Sequence, residues 1–134
     1  MNMIADSLQS LDVQITQAMY TIIASIDQGE LVGIAKVSHR GVRGAWIAEL
    51  FVRDDHRGRG VGTSLIDRAC SIAGESGCEA IALCVEKGGD AEGLMAFYRK
   101  LGFTLAWETD EGFVMSRSAD QVTEAEVVHA FEDD

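Results

Sequence analysis

Two apolar, β-branched runs, Tyr20 to Ile26 (YTIIASI) and Leu31 to Val37 (LVGIAKV), flank the polar tetrapeptide DQGE. Runs of that kind joined by a short Gly-containing connection read as a β-hairpin. A second turn signal, SHRGVRG, leads into AWIAELFV, Ala45 to Val52, a third strand. The period then changes: Val61, Leu65, Ile66, Ala69, Ile72 and Ala73 recur at helical spacing until ESG, where Gly77 is a natural stop. AIALCVE, Ala80 to Glu86, is nearly continuously apolar, as a central strand reached by a helical crossover and parallel to its predecessor would be. Asp90 is placed to cap a further helix carrying Leu94, Met95, Phe97, Tyr98 and Leu101, with Gly102 as its stop. FTLAWET and FVMSRS flank DEG as a last hairpin, and TEAEVVHAF predicts a short terminal helix. The order implies an α/β (α+β) fold, a mixed sheet flanked by helices, with no repeat and no proline-stiffened linker.

At 134 residues and 47% hydrophobic, the chain has the size of one domain, 1–134, with 119–134 as an acidic C-terminal tail. The net charge of −11 excludes nucleic-acid binding through a general basic surface and suits cationic partners such as amines. From Glu108 onward nine acids face only Arg117. Yet Lys36, Arg40, Arg43, Arg53, Arg57 and Arg59 gather six of the eleven basic residues into one segment, which suggests a local anion site. Cys70, Cys78 and Cys84 lack zinc-type spacing, and their odd number argues against a disulfide scaffold. Asp6 and Asp12 sit where a signal peptide would need a basic and then an apolar stretch, and no run approaches the roughly 20 apolar residues of a membrane span. The expectation is a cytoplasmic protein with reduced thiols and no membrane partner.

The segment RGRGVG, Arg57 to Gly62, suits neither helix nor strand, because glycine in a regular element costs about 0.5–1 kcal/mol relative to alanine. Set between a strand and a helix, it points to close approach of an anion to free amides at a helix N-terminus. A P-loop would need Lys before its Ser or Thr, and here Gly62 is followed directly by Thr63 and Ser64; the dinucleotide fingerprint needs G-x-G-x-x-G, and Gly58, Gly60 and Gly62 give G-x-G-x-G. The surrounding LFVRDDHRGRGVGTSLI instead resembles the acetyl-CoA motif of the GNAT superfamily of N-acetyltransferases, Arg/Gln-x-x-Gly-x-Gly/Ala, in Arg57, Gly60 and Gly62 after Phe51 and Val52. AFYRKLGF, Ala96 to Phe103, resembles the helix and Gly-Phe turn that close the superfamily's cofactor cleft.

The resemblance, covering roughly Tyr20 to Ser118, implies the GNAT fold: a mixed sheet of six or seven strands in which the strand ending at Val52 and the strand Ala80 to Glu86 splay apart. It implies that main-chain groups of Leu50, Phe51 and Val52 pair with the pantetheine arm of acetyl-CoA, and that the amides of Arg57, Gly58, Arg59, Gly60, Val61, Gly62 and Thr63 cradle the pyrophosphate. Arg57 is expected to shape the loop and Arg59 to point outward. No metal is implied. Tyr98 matches the tyrosine that protonates the leaving thiolate, or is a half-buried packing residue like Phe97. Trp46 stands where many members carry a glutamate base; Glu49 is the strand's one acid, able to draw in or deprotonate a cationic acceptor, or equally an outward-facing charge.

Cys84 in the apolar ALCV is expected to be an inert, buried thiol rather than the carrier of an acetyl-cysteine intermediate, and His56, beside the loop, a solvated turn histidine rather than a phosphate contact. Ala91 replaces an asparagine that helps hold the pantetheine arm, unless Asp90 substitutes. Only 19 residues precede Tyr20, fewer than the superfamily's first strand and helices need, so the acceptor site is expected to be open or completed by a second subunit in a homodimer. The implied activity is transfer of acetyl from acetyl-CoA to a primary amine (a small amine, a polyamine, or a protein lysine or N-terminus) by direct attack in a ternary complex. A non-catalytic acyl-CoA-binding regulatory module is the alternative.

Overall fold

The computed structural model describes the backbone of residues 10–16 and, in full, residues 20–39 and 44–120. The expected turn at residues 40–43 and the helix expected in TEAEVVHAF lie outside the described residues. Seven strands, β1 (Ser10–Thr16), β2 (Tyr20–Asp27), β3 (Glu30–Ser38), β4 (Gly44–Val52), β5 (Ala80–Glu86), β6 (Thr104–Glu108) and β7 (Gly112–Ser118), form one sheet in the order β1-β2-β3-β4-β5-β7-β6. Neighbours are antiparallel except β4 and β5, which run parallel. Helix α1 (Val61–Glu75) makes the crossover between that pair, and α2 (Ala91–Lys100) joins β5 to the final hairpin.

The β2–β3 hairpin closes through Gln28 and Gly29, both at positive φ (52° and 80°), the backbone of the twisted two-residue turn that suits a hairpin. Buried and half-buried residues alternate along β2, with Thr21, Ile23 and Ser25 facing the core. The helix positions read from the sequence also hold: Leu65, Ile66, Ala69, Ile72 and Ala73 are buried, together with Cys70. These residues join Met95 and Tyr98 of α2 and Ile81, Leu83 and Val85 of β5 in one apolar cluster, so both helices pack on the same face of the sheet. On the opposite face Trp46, Phe51 and Cys84 are exposed.

The fold corrects the sequence reading in one respect. Four strands, not three, precede the glycine segment: β1 pairs with β2 along its whole length, from Ser10 opposite Asp27 to Thr16 opposite Thr21. The segment ahead of Tyr20 thus supplies a first strand that the reading expected to be missing. At the end of the last strand Ala119 is buried, its amide donating to the Glu79 carbonyl, and the Asp120 amide donates to the Cys70 carbonyl.

β4 carries the feature that makes room for a site. Against β3 it pairs Val52 with Gly33 down to Glu49 with Lys36, then skips Ala48 and resumes at Ile47 with Val37, a β-bulge. Ala45 and Ile47 face the core before the bulge, Ala48 and Glu49 are both exposed, and Leu50 and Val52 face the core after it. The extra residue switches the side-chain parity and adds local twist. β4 pairs with β5 only from Gly44–Ala80 to Trp46–Ala82, so from Ile47 onward its edge toward β5 is left without a ladder.

Close approach of α1 to the sheet depends on Gly33. A Cβ there would lie 2.8 Å from Val61 Cγ1, 3.0 Å from Leu65 Cδ1 and 3.2 Å from the Phe51 carbonyl oxygen. Gly33→Ala is expected to lift the first turn of α1 and to destabilise the protein by about 1–3 kcal/mol, as overpacking does. Thermal unfolding checks this: an unchanged midpoint would show that α1 does not sit on β3 in this way.

Candidate functional site

From Val52 the chain enters a 3-10 turn, Asp54–His56, then the glycine segment, then α1. Gly58 and Gly60 have φ of 77° and 84°, left-handed backbone that costs an L-residue with a side chain about 1–2 kcal/mol. Gly60 is also the N-cap of α1, and no side chain caps the helix; its first intrahelical bond is Ser64 N–H to the Gly60 carbonyl. The amides of Val61, Gly62 and Thr63 are therefore not engaged by a capping side chain. They point out of the N-terminal, positive end of a 15-residue helix.

These amides border a cleft of about 760 Å³ lined by Leu50, Val52, His56, Arg57, Gly58, Gly60, Gly62, Thr63, Asp90, Leu94, Phe97 and Tyr98. One wall is the unladdered end of β4, the floor is the glycine turn and the other wall is α2. Gly62 is at ordinary φ; a Cβ there would sit 3.5 Å from Phe97 Cζ and narrow the cleft. Tyr98 is 8% exposed, its ring edge-on to Phe97 and Phe103 at centroid distances of 5.2 and 5.9 Å. Burial pushes its phenol above the ordinary value, so it stays a protonated O–H donor at neutral pH.

The structure brings together most of the residues singled out in the sequence. Leu50, Val52, Arg57, Gly58, Gly60, Gly62, Thr63 and Tyr98 line the one cleft. The exposed side chains of Phe51 and Glu49 lie away from that lining, Val61 packs down over Gly33, and Arg59 is exposed, as expected. Arg57 Nε donates to the Val52 carbonyl at 3.3 Å and its Nη2 lies 3.2 Å from Asp54, contacts that brace the turn. Asp90 caps α2 by accepting from the Gly93 amide at 3.2 Å and also borders the cleft, where Leu94 and Phe97 join it.

His56 corrects the sequence reading. It is not a solvated turn histidine but a buried one whose two ring nitrogens each lie 2.9 Å from a carboxylate, Nδ1 from Asp55 and Nε2 from Asp27. Arg53 grips Asp55 through Nε at 2.6 Å and Nη2 at 2.9 Å and reaches Glu30 at 3.1 Å. Those contacts raise the His56 pKa, the bond to Asp55 first and that to Asp27 second, and they hold the Asp55 carboxyl well below its usual range. In the sequence the signal was the pair of acids at both ends of the DQGE turn.

A second cleft, about 710 Å³, opens beside the same gap on the sheet face opposite α1 and α2, lined by Trp46, Ile47, Ala48, Cys84, Glu86, Lys87, Asp110 and Glu111. Cys84 is exposed here, against the buried thiol expected; its place on the alternate face of β5 decides this, not the apolarity of its neighbours. The buried thiols are Cys78, pushed up by desolvation, and Cys70, pushed up to about 11 by the same cause. An aromatic disulfide reagent at pH 8 is thus expected to label one thiol of the native protein quickly, and Cys84→Ser to abolish that phase. Rapid labelling of Cys70 or Cys78 before unfolding would contradict this packing. Among the described residues no group of three or more His, Cys, Asp or Glu is placed to hold a metal ion, and no helix is long and apolar enough to cross a membrane.

Comparison with known proteins agrees with this geometry. The sequence model of the acetyltransferase (GNAT) family matches residues 5–103. An uncharacterized N-acetyltransferase of Methanocaldococcus jannaschii is 41% identical over 70 residues, 52% of this chain and 29% of that protein. The N-alpha-acetyltransferase MAK3 of Arabidopsis thaliana is 38% identical over 82 residues, 59% of this chain and 42% of that protein. The chain thus matches under half the length of each of these two relatives. The crystal structure of the PaiA N-acetyltransferase of Thermoplasma acidophilum, in complex with coenzyme A, superposes with a TM-score of 0.68 at 18% identity, over 75% of this chain and 61% of that one. With a family match over most of its length and a split β4–β5 pair in its sheet, the chain belongs to the acetyltransferase (GNAT) family.

Proposed function

We propose that this protein transfers an acetyl group from acetyl-CoA to a primary amine by direct attack within a ternary complex. The observation that carries the reading is the gap left where β4 parts from β5, whose β4 side is bordered by one cleft on each face of the sheet. A donor and an acceptor can then meet in the gap without sharing an entrance.

The cleft on the helix side fits acetyl-CoA. The uncapped amides at the start of α1 and the left-handed Gly58 and Gly60 form a concave run of donors suited to a pyrophosphate, with Arg57, Arg59, Val61 and Thr63 as its other members. The free edge of β4 at Leu50, Phe51 and Val52 offers main-chain groups to the amides of a pantetheine arm, as an added strand would use them. When bound, acetyl-CoA supplies an activated thioester. Tyr98, in that cleft and protonated at neutral pH, gives its proton to the sulfur as the carbon–sulfur bond breaks, while the attacking amine forms the new carbon–nitrogen bond and loses a proton to solvent or a nearby carboxylate.

The opposite cleft suits a cationic acceptor. Glu86, Asp110 and Glu111 border it together with the face-exposed Trp46, against the single cation of Lys87. Glu49 is exposed on the same strand beside the bulge and adds to that field.

The non-catalytic acyl-CoA-binding reading draws support from Trp46, which stands in place of an acidic base. Acetyl-CoA consumption with a free-thiol readout, over small amines, polyamines and lysine peptides, separates the two. Amine-dependent thiol release is expected, and Tyr98→Phe is expected to lower the turnover number on the order of 10- to 100-fold with cofactor affinity unchanged in a calorimetric titration. The effect stays modest because a phenol of ordinary pKa about 10, raised further here by burial, gives its proton to the thiolate of a thiol of about 8.5 only uphill, so Tyr98 contributes little driving force. Tight cofactor binding with no thiol release on any amine would favour the binding module.

A further inference from the structure

The His56 network lies at the entrance to the donor cleft, and its hydrogen-bond arithmetic is unusual. A neutral imidazole carries one N–H and one lone pair. Here both ring nitrogens lie 2.9 Å from a carboxylate oxygen, and an ionised carboxylate only accepts. With a neutral ring one of the two contacts would set lone pair against lone pair; only the imidazolium donates to both. The ring is also buried, its side chain 11% exposed, so water is poorly placed to take over a lost contact.

The two carboxylates belong to different parts of the fold. Asp55 is in the 3-10 turn that opens into the glycine segment, and Asp27 ends β2, across the Gln28–Gly29 turn from Glu30. Arg53, at the end of β4, is held to the hairpin by its amide donating to the Val32 carbonyl at 2.8 Å and by its contact with Glu30, and it grips Asp55 through two nitrogens. Asp55 is thereby fixed whatever the state of His56. Asp27 has His56 as its ring partner, so its contact is the one that opens when the ring loses a proton.

We propose that His56 is a positioning residue for the donor cleft: as an imidazolium bridging Asp27 and Asp55 it straps the glycine loop to the β2–β3 hairpin, and its deprotonation releases the loop and weakens cofactor binding. The choice of ligand rests on the coenzyme reading above; the strap itself does not. His56, Arg57, Gly58 and Gly60 all line the same cleft, so a shift of the turn is a shift of the proposed pyrophosphate cradle. The charged and titratable groups facing the ring are Asp27 from β2, Asp55 from its own turn, Arg53 from the end of β4 with Glu30 behind it, and Arg57, Asp90 and Tyr98 around the shared cleft.

The sign follows from the contacts. Hydrogen bonds to Asp55 and Asp27 raise the folded-state pKa of His56 above 6.5, so the strap is fully present below that value and is lost as pH rises through the raised one. Two measurements on the full chain test it. In the unliganded wild type, NMR titration is expected to show the His56 ring titrating above about 6.5, with the amides of Gly58 and Gly60 moving at the same midpoint. A His56 midpoint at or below the free-imidazole value, or loop amides that do not follow it, overturns the proposal.

Calorimetric titration with coenzyme A from pH 6 to pH 9 is the second. Wild-type affinity is expected to fall on the order of 5- to 10-fold more than that of His56→Gln, whose amide cannot donate on both sides, and the two proteins should meet at high pH. The phosphates of the coenzyme titrate in both, so the difference reports His56. Identical pH profiles overturn the proposal. Absence of coenzyme A binding by the wild type at every pH would instead overturn the coenzyme reading, and the NMR titration decides the strap in that case or if His56→Gln does not fold.

Discussion

The parallel pair at the centre of the sheet is incomplete, and the site depends on that fact. β4 and β5 are laddered for three residue pairs and then part. In an ordinary central pair an interrupted ladder would leave buried amides and carbonyls without partners, which is costly. The bulge at Ala48 supplies the means of parting them: one extra residue twists β4 and turns Leu50 and Val52 toward the helices. What results is a strand edge inside the protein rather than at its rim, bordered by a cleft on either face.

Around that edge the chain deals with its own charge. The basic residues clustered near the glycine segment suggest a positive patch, but the structure pairs three of the groups around the turn with carboxylates: Arg53 with Asp55 and Glu30, Arg57 with Asp54, His56 with Asp27 and Asp55. These pairs fix the shape of the turn more than they create a field. What suits an anion there is the backbone, the amides and dipole at the N-terminus of α1, which keep their polarity whatever the net charge of the molecule. The proposed cradle for the coenzyme's phosphates thus needs no basic surface.

The elements with strong local signals were legible. The period-3.6 stripe of α1, the Asp90 cap of α2, the turns at Gly29 and Gly102 and the glycines at 58 and 60 are set by residues within a few positions of one another. β1 was missed although Leu11, Val13 and Ile15 alternate with polar residues, because a short strand without local turn signals around it is defined by its pairing with β2. The roles of Cys84 and His56 were misread for a related reason. The first depends on which face of β5 is covered by helices, the second on an acid 29 positions away.

By itself the sequence determined the order of the elements from β2 to β7, the glycine turn ahead of α1 and the family, because each rests on spacing, propensity or a contiguous motif. The splay of β4 from β5 was implied by the resemblance; the tertiary structure alone decided that it begins after Trp46, that one sheet face is left to an acidic cleft with Trp46, and that His56 is enclosed between Asp27 and Asp55. The parity switch at Ala48 shows why. AWIAELFV reads as a single apolar strand until its partners are in place, and only the register against β3, with Ala48 skipped, divides its side chains between the two faces. Register and burial are properties of pairs of distant segments, and a local pattern cannot carry them.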